Sequence, residues 1–567
     1  MKRRFRSNSL GKIDDPSSDS PVANVLTNNT AEKRSTFGSV KEYFIEYTTN
    51  SNLHGLKYIG EKQRTYPEKL FWVLMFTSCV LVCGSTMMKV FKKWAENPVI
   101  VSFAETSTPV WQIPYPAVTV CSETKVKQTK FNFTKYYHIY RHETAVANLS
   151  AEVRNTYEDV CMICDDHLAP TNGRETSMAN ETIENLRRIS PDIHDIFISC
   201  NWLDEWNDCT NMFYEVITEE GFCYTFNSLG ADELFRLENL HTDYNYLALD
   251  QKNITWTLDG GYPPNSPLDS YPWRGSGYGA KAGPTFLLNT ETIDLDYLCK
   301  GPVQGFKILL HNPAELPRLS EQFFRAPLSH EVIVAVKPKM MTTSEGLRSY
   351  DPERRQCYFS SDRYLKYFKI YTQSNCEMEC LTNFTYARCG CVHFGMPHGQ
   401  NMSTCNSGKM ECLKTAKKEL VTVEMKLGMA GDGENDTISE AREVALRCKC
   451  LPACTSIEYE AETSQADYDL KSLLRAYSPR FTDTDKHLPS QVLVFFKEAQ
   501  FIASRRSELY GQTDFLANCG GLLGLFMGFS ILSVVEIIYF LTLRLYYLLW
   551  KKKDSKINAD LNNKRLG

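Results

Sequence analysis

The stretch GGLLGLFMGFSILSVVE, residues 520–536, combines residue types that an inert apolar anchor avoids. A glycine in a helix interior costs about 1 kcal/mol against alanine, and a carboxylate at mid-bilayer costs about 3 kcal/mol or more. Gly520, Gly524 and Gly528 recur at i, i+4 and i+8, which puts them on one face of a regular helix where neighbouring spans can approach closely. Those glycines alone fit a G-x-x-x-G packing face in a simple dimer as well. Glu536 adds a second constraint: within a membrane it must pair with a base or face a wet path that concentrates cations. No Lys or Arg stands between Phe515 and Tyr539 to act as that base.

Such chemistry needs a membrane around it, and two apolar runs supply one. Residues 70–90 carry their only charge at the edge, and 515–549 are long enough to cross a hydrocarbon core of about 30 Å. Both predict transmembrane helices, although the 567-residue chain is 43% hydrophobic and 23% charged, an ordinary globular composition. The first run follows 69 polar residues without a short basic lead, which argues against a cleaved signal peptide. Basic residues outnumber acidic ones 12 to 8 in residues 1–69 and 6 to 2 in 550–567, whereas 91–514 hold 43 basic and 57 acidic residues. The positive-inside tendency therefore places 1–69 and 550–567 in the cytoplasm and the long middle outside.

Residues 1 to about 40, rich in Ser, Asn, Asp and Pro, read as disordered, and 40–58 predict a short helix. From about 94 to 351, β-rich runs (YPAVTV, GFCYTF, EVIVAV) mix with polar helical stretches such as ETIENLRRI. Further on, TSIEYEAETS and QVLVFFKEA predict strands returning toward the membrane. Of 20 cysteines, Cys79, Cys83 and Cys519 lie in or beside the spans; the other 17 are in the middle region, where they read as a disulfide framework. Residues 357–454 are the densest part, with Cys376-x3-Cys380, Cys389-x-Cys391, Cys405, Cys412 and Cys448-x-Cys450-x3-Cys454. The mirrored spacing suits two antiparallel elements stapled rung by rung. A zinc site would show the repeated C-x2-C spacing that this block lacks. Asn-x-Ser/Thr acceptors for glycosylation fall at Asn132, Asn148, Asn180, Asn253, Asn383, Asn401 and Asn435; another at Asn28 lies on the cytoplasmic side.

Five pieces in this order carry a resemblance: HG at His54 and Gly55 before the first span, YPAVTVC at 115–121, GFCYTFN at 221–227, the cysteine ladder, and GGLLGLFMGFSILSVVE. With them the chain resembles the degenerin/epithelial sodium channel/acid-sensing ion channel family, and within it the insect pickpocket branch. The likeness covers all but residues 1 to about 40 and the final tail. It implies a trimeric membrane protein, each chain with two transmembrane helices and a large disulfide-rich α+β extracellular domain of the palm, thumb and finger type, 357–454 being the thumb-like part. It also implies the pairs Cys121–Cys223, Cys200–Cys209, Cys357–Cys454, Cys376–Cys450, Cys380–Cys448, Cys389–Cys412 and Cys391–Cys405. Cys161, Cys164 and Cys299 are left over, and the sequence does not choose among them.

The same resemblance gives roles to the opening stretch. Three second spans would surround one axis, with Gly524 on the pathway and a narrowing at Gly528-Phe529-Ser530, the position of the G/S-x-S selectivity filter. There, exposed carbonyls and the Ser530 hydroxyl would replace part of the hydration shell of sodium, and three copies of Glu536, about two turns deeper, would form an anionic ring. His54-Gly55 would form a re-entrant loop lining the inner pore. Ala517 would occupy the degenerin site, where small size lets three helices pack when the gate is shut. Phe529 is bulkier than the usual middle residue of the filter, so its direction decides the conducting width. The segment PERRQ before Cys357 lacks the aromatic that acid-sensing relatives place there, which lowers the expectation of acid activation.

The function expected from this is a voltage-independent cation channel of the plasma membrane, sodium preferring and amiloride sensitive by resemblance, serving a sensory neuron or an epithelium. Sodium is the permeant ion, and no cofactor or metal is implied. The expected partners are copies of this chain or related subunits, together with membrane lipid, and not nucleic acid. The competing expectation is a non-conducting or auxiliary subunit or surface receptor that requires a partner chain. The sequence has no G-x-S-x-G, G-x4-G-K-S/T or H-E-x-x-H motif, so an enzyme is not expected. The gating stimulus stays open among osmotic or mechanical force, ligand, proton and constitutive leak.

Overall fold

The computed structural model describes residues 36–96, 99–141, 148–170, 173–174, 177–179, 181–249, 255–430, 440–478, 486–509, 511–551 and 554. The readings made for residues 1–35, for most of the tail and for Asn180, Asn253 and Asn435 lie outside these. The chain divides into two compact units, Met1–Lys92 with Gln512–Gly567, and Lys93–Gly511.

In the smaller unit the first apolar run lies in the helix Tyr66–Glu96 of 31 residues. At 1.5 Å per residue it is about 46 Å long, longer than the hydrocarbon core. It extends past 70–90 because Glu68, Lys92 and Lys93 interrupt hydropathy without interrupting helical hydrogen bonding. Ahead of it, the short helix expected over 40–58 is two helices, Thr36–Asn50 and Leu56–Gly60. The turn between them ends at Gly55, whose φ of +86° is a left-handed conformation that disfavours any side chain.

The second apolar run is not one helix over 515–549. It comprises Gln512–Met527 and Ile531–Tyr539, the latter continuing through a π-helical turn, Phe540–Arg544. Gly528 has φ +64° and Ser530 is extended, so the chain leaves and re-enters the helix within three residues. Ser530 starts the inner half-helix through a reciprocal capping box with Ser533, which supplies donors and acceptors the break would otherwise orphan. Tyr66–Glu96 and Ile531–Lys551 are each long and apolar enough to cross a membrane.

Among the described residues the larger unit is built on two large sheets, beside a two-stranded one of Thr108–Pro109 and Gln500–Phe501. The first has eight strands, in the order Val99–Phe103, Ser504–Glu508, His330–Thr343, Ser490–Phe496, Pro284–Leu288, Phe197–Trp202 and Glu205–Asn207, with Ser456–Asp467 also paired to His330–Thr343. The second has five antiparallel strands, in the order Phe324–Pro327, Gly305–His311, Ala117–Ser122, Gly221–Phe226 and Phe213–Thr218. Alternation explains the core. Val332, Val334 and Val336 run beside Val492, Val494 and Phe496 in parallel register, every second residue buried. Phe226, Phe286, Phe306 and Ile308 pack into the same cluster. Burying each such side chain contributes about 1.5–3 kcal/mol.

Eight disulfides tie the larger unit. The structure joins Cys121–Cys223, Cys200–Cys209, Cys357–Cys454, Cys376–Cys450, Cys380–Cys448, Cys389–Cys412 and Cys391–Cys405. The eighth joins Cys164 to Cys299, leaving Cys161 as a buried free thiol. The ladder staples the helix Gln373–Cys389 to the segment that follows the helix Glu440–Arg447.

Candidate functional site

The interruption of the second apolar run is the centre of the site. The outer half-helix closes with Gly528 N donating to Gly524 O at 2.9 Å and Phe529 N to Leu523 O at 3.3 Å. Ser530 O accepts from Ser533 and Val534. Among the described residues, no backbone N–H bonds to the carbonyl of Gly528 or of Phe529. Two adjacent carbonyls thus lie free within an apolar segment, where an unsatisfied backbone group costs several kcal/mol unless water or an ion meets it. Ser530 is exposed and Phe529 half-buried.

The structure brings His54 and Gly55 to this point from a distant part of the sequence. His54 N donates to Met527 O at 3.0 Å, taking up the last carbonyl of the outer half-helix. A Cβ built on Gly528 would lie 2.6 Å from His54 Cε1 and Nδ1 and 2.9 Å from Cγ. Glycine is therefore required there twice over, by its φ and by the imidazole. Gly55 faces the ring of Trp72, 3.6 Å from a Cβ position.

Deeper in the inner half-helix, Glu536 Oε2 accepts from the backbone N of Asn52 at 3.5 Å and from its Nδ2 at 3.3 Å. The partner of this carboxylate is a neutral amide, not a base. Farther along, Arg544 Nε donates to Glu46 Oε1 at 3.1 Å, Tyr43 donates to the carbonyl of Phe540, and the rings of Tyr47 and Phe540 meet edge-on at 5.3 Å. The contacts from Tyr43, Glu46 and Asn52 were not legible in the sequence; the only hint was a mixed-charge aromatic stretch ahead of the first span.

The expected three-glycine face is shorter than its spacing implies, because Gly528 has left the helix. Gly520 and Gly521 have nothing within 4 Å of a Cβ position, and Gly524 has only the Phe529 carbonyl at 3.8 Å. Ala517 is exposed on the outer half-helix and Cys519 is buried.

In the larger unit, PERRQ supplies cations where an aromatic was missed. Arg354 lies over Trp94 at 4.5 Å and Tyr350 at 4.6 Å, and bonds Trp94 O at 3.3 Å. Arg355 is buried; it pairs with Asp362 and donates to the carbonyls of Tyr350 and Cys357 at 2.6 and 3.1 Å. Burial alone would raise the Glu220 carboxyl, but Lys125, Lys300 and Lys307 hold it well below its ordinary value. Burial pushes the His311 imidazole down to about 4; its Nε2 lies 2.9 Å from Thr119 Oγ1 and its Nδ1 3.0 Å from Asn312 O. Of the glycosylation acceptors, Asn148 and Asn401 are exposed. Asn132 is half-buried and caps a helix by accepting from Lys135 N, and Asn383 is half-buried within the helix Gln373–Cys389.

Known proteins are similar to this chain in sequence. The family model for the amiloride-sensitive sodium channel matches residues 47–540, from the helix that holds Glu46 to the π-helical turn. Pickpocket protein 28 of Drosophila melanogaster is 29% identical over 572 residues, covering 96% of this chain and 84% of its own length. The sodium channel protein Nach of the same species is 21% identical over 540 residues, 93% of this chain and 91% of its own. Acid-sensing ion channel 1C of Danio rerio is 22% identical over 506 residues, 87% and 82%. With two membrane-crossing segments, a disulfide-rich α+β extracellular domain between them and a match that runs from before the first segment into the second, the chain belongs to the amiloride-sensitive sodium channel family.

Proposed function

We propose that the chain is a subunit of a trimeric, voltage-independent cation channel of the plasma membrane, sodium preferring and blocked by amiloride, with both termini in the cytoplasm. The observation that carries this reading is the pair of unbonded carbonyls at Gly528 and Phe529, held open by a glycine in the left-handed region and by His54 beneath it. Three such breaks around one axis would give a ring of carbonyls and Ser530 hydroxyls that stands in for part of a cation's hydration shell. Glu536 from each chain would add negative charge on the inner side. Gly520 and Gly521, open in the single chain, give the room that neighbouring second spans need. The names of the relatives, sodium channel and acid-sensing ion channel, agree with cation conduction.

The bulk of Phe529 in the filter favours a second reading, an auxiliary subunit that conducts only with a related partner chain. Expression of this chain alone in oocytes separates the two. Currents are recorded with external sodium, potassium or a large organic cation, with and without amiloride. Sodium-selective, amiloride-blocked current is the expected result. Silence despite surface expression, in both the wild type and Ala517→Val, refutes a self-sufficient channel.

A further inference from the structure

Glu536 has two unlike oxygens. Oε2 is tied to Asn52 by two N–H donors, whereas Oε1 is buried and has no hydrogen-bond partner among the described residues. The nearest cation along the inner half-helix, Arg544, is already engaged by Glu46. A buried carboxylate oxygen left unpaired in an apolar segment is costly unless a hydrogen-bond donor or a cation meets it, and no side chain among the described residues supplies either.

We propose that Asn52 and Glu536 form one cation subsite at the inner end of the pathway. Asn52 is its positioning residue: it anchors Oε2 and turns Oε1 toward a partly dehydrated monovalent cation. An amide suits this task because it donates without cancelling the charge of the carboxylate, as a lysine would. Asn52 is itself held in place. Ser51 Oγ accepts from Leu53 N at 3.3 Å, and two residues after Asn52 the His54 amide is bonded to Met527 O. One turn therefore touches both the filter's outer edge and the deeper carboxylate. The subsite rests on the channel reading above.

The test is the relative permeability to sodium and potassium, from reversal potentials, for the full chain in whichever assembly conducts. The variants are Asn52→Ala, Asn52→Gln, Glu536→Gln and the double variant Asn52→Ala/Glu536→Gln, each with surface protein measured. Asn52→Ala is expected to change the ratio several-fold, in the direction Glu536→Gln changes it, and to add nothing in the Glu536→Gln background. Asn52→Gln, which keeps a donor, should recover part of the wild-type ratio. A wild-type ratio in Asn52→Ala, or additive effects in the double variant, overturns the subsite while leaving the channel reading intact. A surface-expressed wild type that carries no cation current in any assembly overturns both.

Discussion

Replacing Gly528 with alanine tests the site at its tightest point. At φ +64° a side chain costs about 1–2 kcal/mol, because Cβ meets the following carbonyl. The new methyl would also lie 2.6 Å from two atoms of the His54 ring and 2.9 Å from its Cγ. Spinning the ring about its own axis leaves Cγ where it is, so relief needs a new χ1. The backbone cannot retreat freely, since His54 N is bonded to Met527 O. Overpacking of this kind costs about 1–3 kcal/mol, giving about 2–5 kcal/mol per chain. At a tenfold change per 1.4 kcal/mol, the native geometry of the break at 528–530 should become at least about thirtyfold less populated. The assay is amiloride-sensitive conductance per unit of surface protein for wild type, Gly528→Ala, His54→Ala and the double variant. Gly528→Ala should be nearly silent, and removing the ring in the double variant should return about tenfold of what the crowding took, relative to His54→Ala alone. Gly528→Ala with the amplitude and selectivity of wild type would refute the reasoning.

In the proposed trimer, where second spans would pack through Ala517, Ala517→Val should prop them apart and give current without a stimulus; an unchanged resting conductance at normal surface expression counts against the trimeric pore. His311 has a folded value near 4 against an ordinary 6.5, so the stability it contributes is fully present above about pH 6.5 and is lost as pH falls toward 4. The stability gap between wild type and His311→Gln, read by thermal unfolding of the purified full chain, should therefore narrow by roughly 1 kcal/mol from pH 7.5 to 5.5, and a gap that widens in acid would reverse the sign argued here. Cys161 is buried and burial pushes its thiol up to about 12, so maleimide should label it only after unfolding, as read by mass spectrometry of the labelled chain.

The parts of the fold that the sequence discloses are those where hydrophobicity and structure share a period. EVIVAV and QVLVFF alternate because one side of each strand faces the core. The strand His330–Thr343 continues past that run because the ladder with Ser456–Asp467 does not depend on hydropathy, and Lys337 and Lys339 there pair with Glu462 and Glu460 across the ladder. The second span shows the opposite failure. Phe529 and its apolar neighbours carry hydropathy straight across residues 528–530, hiding a break that only the dihedrals of Gly528 and the Ser530–Ser533 cap reveal. Glu536 could be singled out because a charge in an apolar run is conspicuous. Asn52 could not, because a polar residue in a polar turn carries no signal until the chain folds back on itself. The same holds for Arg354, which looks like one more surface charge until Trp94 is seen beneath it.

The ties from Tyr43, Glu46 and Asn52 to Phe540, Arg544 and Glu536 have a mechanical meaning. They tie the helix Thr36–Asn50 and the turn at Asn52 to the inner half-helix and to its π-helical turn at three points. In the proposed channel, widening the inner mouth would then drag the amino-terminal segment of each subunit outward. On the proposed topology, a load applied to that segment from the cytoplasm would reach the conducting path through these ties.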